Sequence, residues 1–457
     1  MSDSHLFDEF PEVSSQQWKQ KIQYDLKGAD YNETLVWDSP EGIGVKPFYH
    51  SEDLNGATIP SKESNQWYIA QSIYAGDADK ANLKAKEVVD KGVESLIFTI
   101  PNAKINLVNL LQDIDLEKFP VHFNFQYMEL ESFEKLISQI KDSSARIHLH
   151  VDPIGNLART GNWHQSENED KRNLHKLLEL SSFSKTIFPI GIDISLYQNA
   201  GANIIQQLAY GLAHANEYLS ISPSNSFIPT FKVAMGGNYF FEIAKTKALR
   251  WLWATLAAAY GINEDCHIVA MPSKRNKTLY DYNVNMLRTT SECMSAILGG
   301  ADTVCNLPYD ALYHKDNEFA ERIARNQLVL LKEESYFGEV SHAAKGAYYV
   351  ESLTKQLAEK ALGLFKQIEA SGGLLDALTK GKIQQKIKES AAKEQLLFDE
   401  NQTTLVGTNK FQNPDDKMNQ DLELYPFMKK RSEKTQIIPI IEKRLAEELE
   451  QKRLDNE

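Results

Sequence analysis

Residues 121–151, VHFNFQYMELESFEKLISQIKDSSARIHLHV, contain the repeating unit that decides the fold. Val121–Tyr127 and Arg146–Val151 are short apolar runs rich in β-branched and aromatic residues, and the amphipathic stretch Glu131–Lys141 separates them. Two such runs joined by a helix predict parallel strands, because parallel pairing requires a long crossover connection. The segment is therefore interpreted as a β-α-β unit.

Similar apolar runs recur on both sides of this unit, between residues 75 and 350, with a helical pattern between most of them. They are Ser95–Ile100, Pro189–Ser195, Ile228–Met235, Cys266–Met271 and Thr303–Leu307, with a weaker eighth run at Ala347–Val350. This number of strand–helix units predicts a TIM-type (β/α)8 barrel. No glycine-rich dinucleotide motif or phosphate loop follows any run, which argues against an open doubly wound sheet.

The regions before and after the predicted barrel differ from it in character. Residues 1–70 contain large aromatic residues in polar company, so we predict an extended N-terminal arm that packs on the barrel or on another subunit. These residues are Phe7, Phe10, Trp18, Tyr24, Tyr31 and Trp37. The expected domains are the arm at 1–70, the barrel at 71–372 and a helical extension at 373–457.

The C-terminal extension is predicted to end in a helix within IIPIIEKRLAEELEQKRLDNE, residues 437–457. Ile440, Ile441, Leu445 and Leu449 recur there at helical spacing, so one face of the helix should be buried. The remaining charged side chains are expected to face solvent.

The composition limits the possible partners. Of the 457 residues, 42% are hydrophobic and 25% are charged, which is typical of a soluble globular protein. The formal net charge of −13 argues against nucleic acids and anionic membranes, since both attract clustered positive charge. Three isolated cysteines indicate reduced thiols and no disulfide framework. The N-terminal residues do not resemble a secretory signal, so we expect a cytoplasmic protein.

His148, His150 and Asp152 are one candidate for chemistry. Alternate residues of a strand point the same way, so two imidazoles and a carboxylate would share a face that could bind zinc or iron. No second histidine–carboxylate cluster stands out to complete such a ligand set. A hydrogen-bonded barrel interior is therefore the favoured interpretation, and a metal site is the alternative.

Lys274, Arg275 and Lys277 are a second candidate, because they follow the predicted strand Cys266–Met271 at the end of a barrel where active sites lie. They could contact the phosphates of a nucleotide-like substrate. A solvated or inter-subunit charged patch is at least as compatible with the sequence.

Four long segments point to a family. They are QWKQKIQYDLKGADYNETLVWDSPEGIGVKPFY (17–49), IYAGDADKANLKAKEVVDKG (73–92), ISLYQNAGANIIQQLAYGLAHANEYL (194–219) and the stretch 317–373 that begins NEFAERIARNQLVLLKEESYFG. In order and in sequence they resemble methylmalonyl-CoA mutases, in particular the small (beta) subunits of the heterodimeric enzymes. The resemblance implies a barrel and a role in adenosylcobalamin-dependent isomerisation of succinyl-CoA and methylmalonyl-CoA, with the acyl-CoA threading a barrel lined by small polar residues.

Carried over residue by residue, the resemblance implies loss of catalysis. Tyr74 matches a tyrosine of the catalytic subunits, but Ser72 and Ile73 replace the arginine and glutamine before it. Val269 falls at the position of a catalytic histidine, with His267 two residues away on the same strand face. Gln198 stands where an imidazole is typical, and the 84 residues after Gly373 are too few for a cobalamin-binding domain. Tyr74 is thus the one expected, vestigial, substrate-binding residue, and no catalytic residue or metal site is expected.

The favoured interpretation is a non-catalytic small subunit that pairs with a large (alpha) mutase subunit, which binds the adenosylcobalamin. One alternative is an active acyl-CoA mutase barrel that works with a separately encoded cobalamin-binding chain. Another is a metal-dependent barrel hydrolase that uses His148, His150 and Asp152.

Overall fold

The computed structural model describes residues 10–54, 59, 60, 62, 64, 66–140, 143–222, 227–340, 343–429 and 434–457. Eight strands, paired in parallel, close into a barrel in which each strand neighbours the next and β8 pairs with β1. The strands are β1 (Tyr68–Tyr74), β2 (Ser95–Ile100), β3 (Val121–Phe125), β4 (Ile147–Val151), β5 (Ile187–Asp193), β6 (Thr230–Met235), β7 (His267–Pro272) and β8 (Thr303–Cys305). The predicted (β/α)8 barrel is confirmed.

One predicted strand is wrong and one real strand was not predicted. Ala347–Val350 does not join the sheet, because it begins the helix Tyr348–Ala370, whose Leu353 and Leu357 are fully buried at helical spacing. The missing strand is β1, which closes the barrel between β2 and β8.

Helices surround the barrel and follow it in the chain. Within the described residues, the α-helices are Ser15–Asp25, Tyr31–Leu35, Ala78–Asp90, Leu107–Leu111, Leu130–Ile140, Pro153–Thr160, Glu167–Ser181, Ser195–Asn199, Ile204–Ile221, Tyr239–Tyr260, Val284–Leu298, Glu318–Val329, Tyr348–Ala370, Gly373–Thr379, Lys382–Asp399 and Glu447–Leu454. A 3-10 turn spans Ser51–Leu54, a π turn spans Leu330–Glu334, and Trp37–Asp38 pairs with Gly44–Val45. None of the described helices is both long and apolar enough to span a membrane.

The barrel has an outer and an inner set of buried side chains. Outward-facing residues such as Leu96, Phe98 and Ile100 of β2 pack into the main core under the helices. A separate small cluster joins Ala70, Ile97, Val269 and Cys305, which come from β1, β2, β7 and β8. These four strands follow one another around the barrel, and side chains of strands that are not neighbours can meet only inside it. The cluster therefore marks the lumen.

The predicted final helix begins later than expected. Residues 437–446 are not helical, and their backbone N–H groups donate to the loops of the barrel rather than to one another. Pro439 lacks a donor and disfavours a helix at the residue before it. Ile440 and Leu445 are buried as predicted, but Ile441 is exposed, so the expected single helical face is wrong. We call residues 436–446 the C-terminal strap.

The N-terminal arm leaves most of its described aromatic residues at the surface. Phe10, Trp18, Tyr24 and Trp37 are exposed by 48–79%, whereas Tyr31 is buried. The helix Ser15–Asp25 buries no residue against the rest of the chain. Phe7 lies outside the described residues. The division into arm, barrel and extension stays a prediction.

Candidate functional site

A polar cavity of about 550 Å³ lies at the C-terminal ends of the strands, and we call it the mouth. Thr99, Asn124, Asp193, Lys232 and Met271, from strands β2, β3, β5, β6 and β7, line it together with residues of the following loops. Active sites of TIM-type barrels are built at this end. The mouth is therefore the candidate functional site.

Asp193 is the centre of an ionic network in the mouth. Its Oδ2 accepts from Arg159 Nη2 at 2.8 Å and from Lys232 Nζ at 3.4 Å, and its Oδ1 accepts from the backbone N–H of Ser195 at 3.1 Å. Burial alone would raise the pKa of the carboxyl, but Lys232 and Arg159 outweigh it and hold that pKa far below its ordinary value. The carboxylate thus stays ionised and fixes both cations.

Asp152 holds the next loop in place. It is the N-cap of the helix Pro153–Thr160, where Oδ1 accepts from the N–H of Gly155 at 2.7 Å. The same carboxylate lies 2.9 Å from His214 Nε2 and accepts a hydrogen bond from the Tyr218 hydroxyl. Burial opposes ionisation, but His214 and these hydrogen bonds lower the pKa of Asp152 on balance. A second ionised carboxylate is thereby fixed beside the mouth.

The C-terminal strap crosses the mouth. The N–H groups of Ile440, Lys443 and Leu445 donate to the carbonyls of Ala158, Asn199 and Arg275 at 2.7, 3.1 and 2.8 Å. These acceptors follow β4, β5 and β7, so the strap spans several strand ends. The carboxylate of Glu442 lines the cavity, 3.2 Å from Arg159 Nη1 and 3.1 Å from Asn199 Nδ2.

Four histidines lie in the lumen, three of them at its N-terminal end. His122, His148 and His267 stand at or next to the first residues of β3, β4 and β7, with ring centroids 4.2–5.3 Å apart. His150 lies one layer nearer the mouth, and its Nε2 is 2.9 Å from His122 Nδ1. Thr230 Oγ1 lies 2.6 Å from His148 Nδ1, and Thr303 Oγ1 lies 2.9 Å from His267 Nε2. We call these four residues the histidine layer.

Burial keeps the histidine layer uncharged. It lowers the pKa of His150 to about 3, with Lys232 acting in the same direction. It lowers the pKa of His267 to about 4, although Asp302 opposes the shift. His122 and His148 are fully buried, and burial places the pKa of each well below its ordinary value.

The chain shares most of its length with known mutases. Residues 102–456 match the family described as methylmalonyl-CoA mutase. The chain belongs to the methylmalonyl-CoA mutase family. The small subunit from Porphyromonas gingivalis is 34% identical over 451 residues, which cover 89% of this chain and 71% of that protein. The small subunit from Streptomyces virginiae is 28% identical, with 88% and 71% covered. The large subunit from the same organism is 25% identical, with 88% of this chain and 62% of that protein covered.

The positions carried over from the mutase family lie in different surroundings. Tyr74, the last residue of β1, is 58% exposed at the rim of the barrel and does not line the mouth cavity. Val269 faces the lumen in contact with aliphatic neighbours, and His267 lies two residues below it on the same face, as predicted. Gln198 is buried, and its Oε1 accepts from Lys245 Nζ at 2.9 Å. The structure does not bring these residues together into one site.

The basic cluster after β7 is divided between buried and exposed residues. Lys277 is buried and pairs with Glu292 at 2.7 Å. Arg275 is buried too, and it pairs with Glu394 and donates to the carbonyl of Lys443 at 2.8 Å. Of the three predicted residues only Lys274 lines the mouth. Both interpretations of the cluster are therefore wrong for Arg275 and Lys277.

His148, His150 and Asp152 do not form the shared ligand face that strand alternation predicted. The pairing of β4 with β5 is irregular between His148 and Val151, and His150 has a positive φ of 42°. Asp152 turns away to cap a helix. Sequence reasoning missed His122 and did not join His267 to the other histidines, although the alternation of His122 and Asn124 in VHFNF could have indicated a polar lumen.

Proposed function

We propose that the chain is a non-catalytic small subunit of an adenosylcobalamin-dependent methylmalonyl-CoA mutase. In this proposal it pairs with a large catalytic subunit that binds the cofactor and interconverts succinyl-CoA and methylmalonyl-CoA. The small-subunit relatives support the pairing. The observation that carries the proposal is the filling of the barrel lumen.

A barrel that threads an acyl-CoA chain along its axis needs small polar residues there. Here the imidazoles of His122, His148 and His267 are in contact across the lumen, and Phe188 stacks on His148 with ring centroids 4.6 Å apart. Above them Ile97 and Val269 pack together. A linear substrate would have to displace close-packed side chains, which argues against substrate passage.

The mouth is also a poor fit for a corrin. A cofactor that reacts with a substrate in the barrel would have to lie over the C-terminal strand ends. In this chain the strap and the Glu442–Arg159 pair lie over them. This arrangement supports binding of adenosylcobalamin by the partner, and no catalytic step is assigned to the present chain.

The N-terminal arm supplies a surface suited to a partner. Trp18 stacks on Phe48 with ring centroids 4.8 Å apart, yet Trp18 and Trp37 remain 48% and 49% exposed. Exposed large aromatic residues are typical of binding surfaces, where such side chains contribute much of the affinity. We assign this surface to the large subunit.

The test is to co-express the chain with a large mutase subunit from the same source, purify the complex and assay isomerisation with adenosylcobalamin. We expect activity in the complex and none for this chain alone. Trp18→Ala combined with Trp37→Ala should weaken complex formation at least tenfold, because two aromatic contacts are lost. Leu83→Ala, at an exposed position on the helix Ala78–Asp90, is the matched control.

Tyr74→Phe distinguishes a silent barrel from an active one. Since Tyr74 lies exposed at the rim, we expect unchanged turnover in the complex. Turnover lost on this substitution would instead favour the active barrel that works with a separate cobalamin-binding chain. Failure of the two proteins to associate would contradict the proposed pairing.

A further inference from the structure

The histidine layer brings three imidazoles together in an arrangement that the proposed subunit role does not use. One ring nitrogen from each of His122, His148 and His267 lies within 4.8 Å of the other two. All three residues stand at the N-terminal end of the lumen, away from the mouth. The geometry points to a transition-metal site, and we propose that these three imidazoles bind one zinc ion. This inference is independent of the proposed function.

The hydrogen bonds around the trio orient each ring for metal binding. His148 Nδ1 is held by Thr230 Oγ1, His267 Nε2 by Thr303 Oγ1, and His122 Nδ1 by His150. When each of these nitrogens carries the ring proton, the opposite nitrogen has a free lone pair. Metal-binding histidines are held in this way, because a hydrogen bond at one nitrogen fixes the tautomer and the orientation of the other.

The free nitrogen of His122 is the clearest sign of a missing ligand. Its Nε2 is buried and has no hydrogen-bond partner among the described residues. A buried imidazole nitrogen without a partner is costly, and it contrasts with the paired Nδ1 of the same ring. A bound ion would satisfy it.

The ligand types of the trio favour a transition metal. Neutral imidazole is the form that binds metals. No carboxylate belongs to the cluster, so hard oxygen-preferring cations such as Mg²⁺ and Ca²⁺ should not bind. Three imidazoles suit zinc, with a water molecule as the fourth ligand.

The site requires a small contraction on metal binding. A tetrahedral ion with bonds of about 2.0 Å holds its ligand atoms roughly 3.3 Å apart. The present separations reach 4.8 Å, so side-chain rotations must bring the nitrogens closer. His267 retains some solvent exposure, which gives the ion a path from the N-terminal end of the barrel. Since active sites lie at the opposite end, the ion would stabilise the barrel.

The test begins with the unmodified full chain, stripped with EDTA and dialysed against buffered micromolar zinc. We expect about one zinc per chain by elemental analysis. Free zinc at about 100 times the dissociation constant should raise the melting temperature by roughly 3 °C, and Mg²⁺ should not. Cobalt(II) should give the intense visible absorption of a tetrahedral site. A folded chain that binds no zinc would overturn the proposal.

Variants locate the ion. His148→Gln should abolish stoichiometric binding, and His175→Gln, at an exposed helical position, should leave it unchanged. Thr230→Val preserves shape but removes the hydrogen bond to His148, so it should weaken zinc affinity at least tenfold. Zinc retained at full affinity by a folded His122→Gln/His148→Gln chain would place the ion elsewhere. If these variants do not fold, the cobalt spectrum and the melting shift of the unmodified chain decide.

Discussion

Both ends of the barrel lumen contain buried polar side chains, but these side chains are accommodated in opposite ways. The histidine layer at the N-terminal end is neutral, because burial suppresses protonation of its imidazoles. The mouth at the C-terminal end is ionised, because Lys232 and Arg159 outweigh the burial of Asp193. Strands β3 and β7 carry residues of both ends. The difference indicates that an ionisable side chain can be buried in this lumen in two ways: it is either uncharged or paired with an opposite charge.

These two solutions predict different sensitivities to pH. A buried neutral histidine has no linkage effect while the unfolded chain is also unprotonated, and it destabilises the fold once the pH falls below the pKa of unfolded histidine. The stability that a buried ionised carboxylate contributes is complete above the pKa of the unfolded aspartate, about 3.9, and is lost progressively below it. Acid should therefore act on the histidine layer first.

The largest effect we predict is a loss of stability between pH 6.5 and 4. Unfolded histidine has a pKa of about 6.5, whereas the folded pKa of His267 is about 4 and that of His150 about 3. Below pH 6.5 the unfolded chain takes up the protons, so each buried imidazole costs about 1.4 kcal/mol per pH unit. Urea unfolding in EDTA should thus show a loss of about 2 kcal/mol per imidazole at pH 5, relative to pH 7.5.

The control for the pH prediction is a chain with fewer titrating rings. His148→Gln should reduce the loss at pH 5, because one buried neutral imidazole is removed, whatever the stability of the variant at pH 7.5. His175→Gln should preserve the full pH dependence, because this histidine is exposed. A free energy of unfolding that is flat from pH 6.5 to 5 would contradict the neutral state of the layer.

The next largest effect tests the mouth. Asp193→Ala removes the carboxylate that Lys232 and Arg159 share and leaves Arg159 paired with Glu442 alone. Because these side chains are 20–35% exposed, we expect a cost of about 2 kcal/mol, below that of a fully buried pair. Glu131→Ala is the matched control, because its pair with Lys135 is more than 70% exposed on both sides. The control should change the free energy of unfolding by no more than about 0.5 kcal/mol. Equal effects of the two variants would mean that the mouth network is solvated.

The sequence predicts the barrel well because most of its strands are continuous apolar runs. Strand β1 was missed because Gln71 and Ser72 interrupt its apolar pattern. Gln71 is tolerated in the strand because its side chain hydrogen-bonds to Glu321 and Arg325, at distances of 3.0 Å. Those partners lie some 250 residues away in the chain, so no local pattern could reveal them.

The site was less predictable for the same reason. His122, His148 and His267 meet only because the barrel closes, and the spacing between them carries no metal-ligand motif. The strap could not be anticipated from its apolar residues, because these also fit a helix. The family resemblance correctly placed His267 and Val269 on one inward face, but it could not indicate which other side chains meet them there.

The smallest effect we predict concerns the strap, which covers the mouth. The Glu442–Arg159 pair is 35% exposed on both sides, so Glu442→Gln should lower the free energy of unfolding by no more than about 1 kcal/mol. Hydrogen exchange should accelerate by about fivefold at the amides of Ile440, Lys443 and Leu445, because local opening of the strap becomes easier. Glu448→Gln, at a 61% exposed position, is the control. Faster exchange in β3 and β4 as well would show that the two ends of the lumen open as one unit. The two ends would then differ in the charge of their side chains but not in their local stability.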